Sequence, residues 1–312
     1  MAVSKCISLT TLPNRTANSA EELPHIDESG SHGTADFPVA IYSDDVTANA
    51  INWHWHEEFE IGFITGGTIR MECGNRRYVL SEGDIFFINS NVLHSMNNDT
   101  PPHKATFKSI VFHGSVIGGD ENSIFHRKYL LPVLENNHFR DFVLTANISH
   151  YQRIFSLLNA VWDSVCAETS NYEMTVRNEL SNLFCILIHF PENSIPIQEY
   201  NFLQENRVQM LLAYIQQHYY EDFTLDDLAK SASISKSETL RCFKGIVGQS
   251  PMKYLKTYRL QSAAHMIRNT NYSIGTICEL CGFSDNSYFS KSFKEMYHCT
   301  PHEYKRALIK KG

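Results

Sequence analysis

The sequence predicts a two-domain chain. An N-terminal all-β barrel is followed by helices, and a C-terminal all-α domain contains two short helix pairs joined by a long helix. Three observations carry this. A length of 312 residues suggests two domains. Between residues 37 and 115, short runs rich in β-branched and aromatic residues alternate with Gly- and Asn-containing turns. Residues 224–254 and 273–304 repeat one helical pattern at an offset of 49 to 50 residues.

Composition bounds the class. Hydrophobic content of 43% and charged content of 20% are those of a globular protein. No apolar run reaches the roughly 18 residues that span a bilayer. The N-terminus lacks a basic stretch followed by an apolar core, so no secretion signal is expected. Eight scattered cysteines fit a reduced, cytoplasmic chain better than a disulfide framework. Charge is divided unevenly: residues 201–312 balance at +5 and residues 1–200 at −12. The C-terminal part is therefore the one suited to a polyanion.

Residues 1–36 are rich in Ser, Thr, Asn and Glu without apolar periodicity, and read as a loosely ordered arm. Strands are expected at Glu60–Thr65, Ile69–Cys73, Arg77–Leu80, Asp84–Ile88 and Phe107–Phe112. Such spacing suits a sandwich or barrel. Within it, His54-x-His56-x3-Glu60-x6-Gly67 is followed by Gly83-x5-Asn89-x-Asn91-x2-His94-x3-Asn98. These spacings resemble the two signature motifs of cupin barrels, with Asn89 and Asn91 in place of the usual Pro and Gly. Read as one strand, period two points His54, His56 and Glu60 to one face, with Trp53, Trp55 and Phe59 opposite. His94 is expected from a neighbouring hairpin. Three readings stand for His54, His56, Glu60 and His94. They hold a divalent transition metal, they hydrogen-bond an organic effector without metal, or they only pack.

Residues 123–190 read as helical. Tyr151, Ile154, Phe155, Leu157, Leu158, Val161 and Trp162 make one apolar face. Met174, Val176, Leu180, Leu183, Phe184, Leu187 and Ile188 make another. The two faces exceed what a small barrel needs and are expected either to pad it or to form a homodimer interface. The domain thus runs over 37–190. Residues 191–206, polar and with two prolines, read as the linker to a domain at 207–312.

Within 207–312, Thr224-x-x-Asp227 and Ser235-x-x-Glu238 read as capping boxes opening two helices. Thr239, Cys242, Phe243 and Ile246 form the core face of the second. Downstream, Ile274, Ile277, Cys278 and Cys281 line one helix. Ser284 is placed to N-cap the next, which buries Phe289, Ser292, Phe293 and Met296. Cys278 and Cys281 face that core, so packing and not zinc is expected of them. Each pair, with its tight turn, reads as a helix-turn-helix. A helix from about Met252 to Asn269 joins them, with Leu255, Leu260, Ala263, Ala264 and Ile267 inward. The doubled unit closely resembles the DNA-binding domain of the AraC/XylS family of bacterial transcription regulators. The resemblance is carried by Leu228-Ala229, Ser235, Arg241-x-Phe243-Lys244, Pro251-x-x-Tyr254, Arg259-Leu260-x-x-Ala263, Ile274-x-x-Ile277, Cys281-Gly282-Phe283-Ser284-Asp285, Ser287-Tyr288-Phe289-Ser290, Phe293-Lys294 and Thr300-Pro301-x-x-Tyr304.

The resemblance implies a cytoplasmic, sequence-specific regulator that binds double-stranded DNA, contacts the transcription machinery, forms a homodimer and does not enter membranes. It implies a cupin-like sensor domain for a small-molecule effector, with a carbohydrate as the expected class. It sets no certain cofactor and no catalytic residue. Transferred by position, Ser237, Leu240 and Arg241 in the first unit face base edges, as do Asn286, Ser287, Ser290 and Lys291 in the second. Leu240 stands where a polar residue is more common. Lys236, Lys244 and Lys294 are placed for phosphates. The rival reading is a metal-dependent cupin enzyme with an appended DNA-binding domain.

Overall fold

A computed structural model of the chain describes residues 32–47, 50–189 and 201–309. They form two units divided between Tyr200 and Asn201. Most of the expected arm (1–31), the last residue of the expected first domain (190) and most of the expected linker (191–200) lie outside the described residues. The remainder of the linker departs from expectation. Phe202–Asn206 open a helix, because the Asn201 side chain accepts from the Gln204 N–H and caps it.

The first unit is two antiparallel sheets and a helical layer. One sheet has the order β1 (Val39–Asp45), β8 (Thr106–Phe112), β3 (Phe59–Gly66), β6 (Ile85–Ile88), β9 (Asp141–Leu144). The other has β2 (Ile51–His54), β7 (His94–Asn98), β4 (Thr68–Cys73), β5 (Arg76–Ser81). Alternation sorts the side chains into two cores. Ile64, Phe86, Ile88, Phe107 and Val111 from the first sheet meet Ile69, Met71, Cys73, Leu80 and Met96 from the second. Phe59, Ile61, Phe63, Ile85, Phe87, Ile110 and Phe112 point the other way, onto helices. Between the sheets, Gly62 is required. A Cβ there would lie 2.6 Å from Cζ of Phe86 and 2.3 Å from the Lys108 carbonyl oxygen, so the Phe86 ring crosses where a side chain would be. The edge strands β5 and β9 are tied by Tyr78, whose hydroxyl donates to Asp141 Oδ2 at 2.6 Å, and by Arg76 at 3.4 Å. Burial pushes the Asp141 carboxyl up despite Arg76 beside it.

The segment 123–190 is not helical throughout. It holds a π-helical turn, His126–Leu130, and α2 (Leu131–Leu134), preceded by the short α1 (Ser115–Gly118). Asp141–Leu144 is then the strand β9, paired with β6 through Asp141↔Ile88 to Leu144↔Ile85. The long helices follow as α3 (Tyr151–Ala167) and α4 (Tyr172–Leu187). Their apolar faces are covered within one chain. Ile154, Leu158, Val161, Val176 and Leu180 are each 0% exposed against the outer face of the first sheet. Of the two roles expected for these faces, padding the sheet accounts for their burial, and among the described residues they leave no surplus apolar face for a homodimer interface. Met174, expected on the buried face, is 56% exposed.

The second unit is all-α: α5 (Phe202–His218), α6 (Leu225–Ser231), α7 (Lys236–Val247), α8 (Pro251–Asn269), α9 (Ile274–Leu280), α10 (Asn286–Tyr297) and α11 (Pro301–Ile309). Helix α5 packs on α6 and α7, and α11 packs on α8 and α10. Each helix-turn-helix thus has one flanking helix besides the shared α8. Phe289 and Phe293 are fully buried in the second pair's core, along with Cys278 and Cys281. Arg259 donates from Nε to the Tyr219 carbonyl and from Nη2 to the Glu221 carbonyl, both at 2.6 Å, and so binds α8 to the chain leaving α5.

Candidate functional site

The outward faces of α7 and α10 are set by two caps. Ser235 accepts from the Glu238 N–H and opens α7. On α10 the cap is Asp285, not Ser284: Asp285 is extended at φ −131° and accepts from the Tyr288 N–H at 2.5 Å. A carboxylate one residue closer reaches the open amides and opposes the helix dipole. The capping box at Thr224 and Asp227 is reciprocal. The one expected at Ser235 and Glu238 is only half formed, because the Glu238 carboxylate turns to two arginines instead.

Lys236, Ser237, Leu240, Arg241 and Lys244 are exposed on α7, with Leu240 at 40%. Asn286, Ser287, Lys291 and Lys294 are exposed on α10, whereas Ser290 is half-buried. Thr239, Cys242, Phe289 and Phe293 fill the opposite faces. Lys236 lies 3.2 Å from Asp226. Two residues beside these faces were not among the expected contacts. Tyr288 is 52% exposed at the start of α10, with Lys256 Nζ 5.0 Å from its ring centroid. Arg207 reaches from α5 to Glu238 at 2.8 Å. Neither position shows in helical periodicity, since both rest on contacts between helices.

The second constellation lies in the first unit. His54, His56, Glu60 and His94 bring one ligand atom each within 4.8 Å of the others. They do so by a route other than one alternating strand. Strand β2 ends at His54, His56 lies in the connection that crosses between sheets, and Glu60 is on β3 of the other sheet. His94 is on β7, paired directly with His54. All four are buried, at 1% to 6% exposure. His32, from the end of the segment read as an arm, adds a fourth ring. Its centroid is 4.9 Å from that of His56, and its Nδ1 is 2.5 Å from the Tyr42 hydroxyl. His32 also groups with His56 and Glu58 as ligating side chains.

The imidazole orientation decides the chemistry. Nδ1 of His54 lies 2.8 Å from the Asn52 carbonyl, Nδ1 of His56 3.0 Å from that of Glu58, and Nδ1 of His94 2.8 Å from that of Val92. A carbonyl oxygen only accepts, so each Nδ1 carries the hydrogen. A neutral ring then has its lone pair on Nε2. His94 Nε2 is 3.2 Å and His56 Nε2 3.7 Å from Glu60 Oε2. Lone pairs facing a carboxylate repel unless a positive charge joins them, either a proton on Nε2 or a metal ion among the four donors. Burial first, then the neighbouring rings His94 and His56, push the His54 imidazole well below its usual pKa, against protonation there. Burial pushes the Glu60 carboxyl up, but His56 and His94 beside it outweigh this and hold it well below the usual range. Three imidazoles locked through Nδ1 and one carboxylate fit a divalent first-row transition metal.

A double helix-turn-helix behind a β-sandwich with a buried polar site defines a DNA-binding regulator with its own ligand-binding domain. The comparisons agree. Residues 37–171 match the AraC-like ligand binding domain and residues 228–307 a helix-turn-helix domain. The chain belongs to the AraC family of transcription regulators. It is 25% identical over 90% of its length to the uncharacterised HTH-type transcriptional regulator YdeC of Bacillus subtilis, covering 96% of that protein. An uncharacterised HTH-type regulator of Haemophilus influenzae is 26% identical, with 81% of this chain and 89% of that one covered. Among solved structures, fatty-acid-bound ToxT from Vibrio cholerae is similar at a TM-score of 0.46 and 14% identity, over 86% of this chain and 94% of that one. No helix among the described residues is long and apolar enough to cross a membrane.

Proposed function

We propose that this regulator works in the cytoplasm, reads DNA through α7 and α10, and recognises its effector at a metal centre formed by His54, His56, Glu60 and His94. One observation carries the metal reading: all three imidazoles donate from Nδ1 to backbone carbonyls, and the Nε2 lone pairs of His56 and His94 are thereby turned toward the Glu60 carboxylate. A divalent ion satisfies the four donors together and leaves coordination positions for a small molecule, an oxygen-rich carbohydrate among the candidates. The base contacts come from Ser237, Leu240, Arg241, Asn286, Ser287, Ser290 and Lys291, and the phosphate contacts from Lys236, Lys244 and Lys294. The site is read as a sensor and not as a catalytic centre. Recruitment of the transcription machinery and a dimeric state belong to the same proposal, the latter through surfaces other than the α3 and α4 faces buried in the fold.

Metal analysis of full-length protein purified without chelators or an affinity tag tests the centre. The expected result is about one divalent transition metal per chain, lost in His94→Ala, with a lower melting temperature after chelation. Protein that carries no metal and gains no thermal stability from added Zn²⁺, Mn²⁺ or Fe²⁺ would sink the reading.

A further inference from the structure

The two reading helices differ in how their cations are held. On α7, Arg241 donates from Nε to Glu238 Oε2 at 2.8 Å and from Nη2 to Glu238 Oε1 at 2.7 Å. Glu238 Oε1 also accepts from Arg207 Nη1, on α5, at 2.8 Å. Glu238 sits three residues after the cap, where a capping-box carboxylate would fold back on Ser235. It runs instead along the helix to Arg241 and across to α5. Two of the five guanidinium hydrogens are used, both on the Nε–Nη2 edge. The other edge, Nη1 with the second Nη2 hydrogen, points away from Glu238. Guanine offers N7 and O6 side by side in the major groove, a match for that edge.

The equivalent positions of the second unit lie 50 residues on, cap to cap: Asp285 for Ser235, Tyr288 for Glu238, Lys291 for Arg241. There the carboxylate is replaced by an aromatic ring, and the cation over that ring is Lys256 from α8. A lysine presents a point charge without a planar edge. The guanidinium buttress is therefore confined to the first unit.

We propose that Glu238 is a positioning residue that presents Arg241 to a guanine, and that Arg207 anchors Glu238 from α5. The side-chain freedom that Arg241 would lose on reaching a base is lost in advance. The charge of Glu238, which would repel DNA, is covered by two guanidinium groups. The first unit thus supplies the guanine-specific contact, although its Leu240 stands where a polar residue is more common. The proposal rests on the reading of Arg241 as a base contact.

Sequence selection from a randomised duplex library, followed by binding titrations on the selected site, tests it with the full chain. Arg241→Ala should erase a guanine preference at one position. Glu238→Gln should reduce that same preference about tenfold. It should leave the other positions unchanged and non-specific affinity equal or higher, since a negative charge is removed. Arg207→Ala should reduce preference at the same position by less. If Arg241→Ala leaves the selected motif intact, the base contact itself is wrong. If Arg241→Ala changes one position and Glu238→Gln changes none, the positioning role is overturned. An even loss across all positions with a lower melting temperature in Glu238→Gln would overturn it too, by marking Glu238 as structural.

Discussion

At the scale of single residues, the two helix-turn-helix units exchange the residue that takes left-handed backbone. In the turn between helices, Ser233 has φ 53° in the first unit and Gly282 φ 75° in the second. At the end of the reading helix the order reverses, with Gly248 at 78° and His298 at 59°. A side chain in this region costs about 1–2 kcal/mol that glycine does not. Ser233→Gly and His298→Gly should therefore each raise stability by about 1 kcal/mol. Gly282→Ala should lower it by at least about 2 kcal/mol, because its Cβ would also lie 2.8 Å from the Tyr219 carbonyl oxygen and 2.9 Å from that of Tyr220. Urea unfolding of the full chain, followed by far-UV circular dichroism, reads all three. A destabilised Ser233→Gly would mean that the serine side chain makes a compensating contact. The same logic explains Asn91 in the first unit. It stands where the cupin motif has glycine, and at φ 59° it occupies the conformation that asparagine tolerates best after glycine.

At the scale of elements, the helical pair α3–α4 is a layer of the fold. Its apolar stripe was legible in the sequence, but its partner was not. Periodicity shows that a face is buried and is silent on whether a sheet of the same chain or a second copy covers it. Leu180→Ala should cost about 2–5 kcal/mol and leave the sedimentation coefficient unchanged, whereas Met174→Ala should move stability by less than about 0.5 kcal/mol. A variant at Leu180 that keeps its stability while the particle halves in mass would restore the dimer reading. Strands β3 to β6 and β8 were legible because β-branched runs end at glycine or asparagine turns. β1 was not among the expected runs; β2 was read as one strand running on to Glu60 and β7 only as a hairpin bringing His94, since alternation there is obscured by polar residues facing inward. β9 was missed because four residues between helices give no period, and its Asp141 is held by Tyr78 across the sandwich. The four-residue site was legible as a spacing. Its assembly from three strands and a crossing was not, because spacing within one segment carries no information about a change of sheet.

At the scale of the whole molecule, the DNA-binding unit repeats one motif along a rigid connector. α8 has 19 residues, about 28 Å of helix, and its Leu255, Leu260, Ala263, Ala264 and Ile267 are each no more than 3% exposed. It is packed by α7 before it and by α9, α10 and α11 after it, so the separation of the reading helices is set by structure and not by a flexible tether. That length is somewhat under the pitch of about 34 Å of B-DNA, so both helices can enter successive major grooves on one face of the duplex. The two reading surfaces differ in sequence, and a single chain should therefore protect an asymmetric site of two segments about 10.5 bp apart. Asn286→Ala or Lys291→Ala should change one segment, and Arg241→Ala the other, at about 1–3 kcal/mol each. Lys244→Ala should weaken binding to all sequences alike and reduce the salt-dependence slope by about one. Footprinting with the full chain and its variants distinguishes the outcomes. Protection of one segment only would show that one unit docks without reading. A palindromic footprint would show instead that two chains each contribute a single helix, in which case α8 spaces nothing on the DNA.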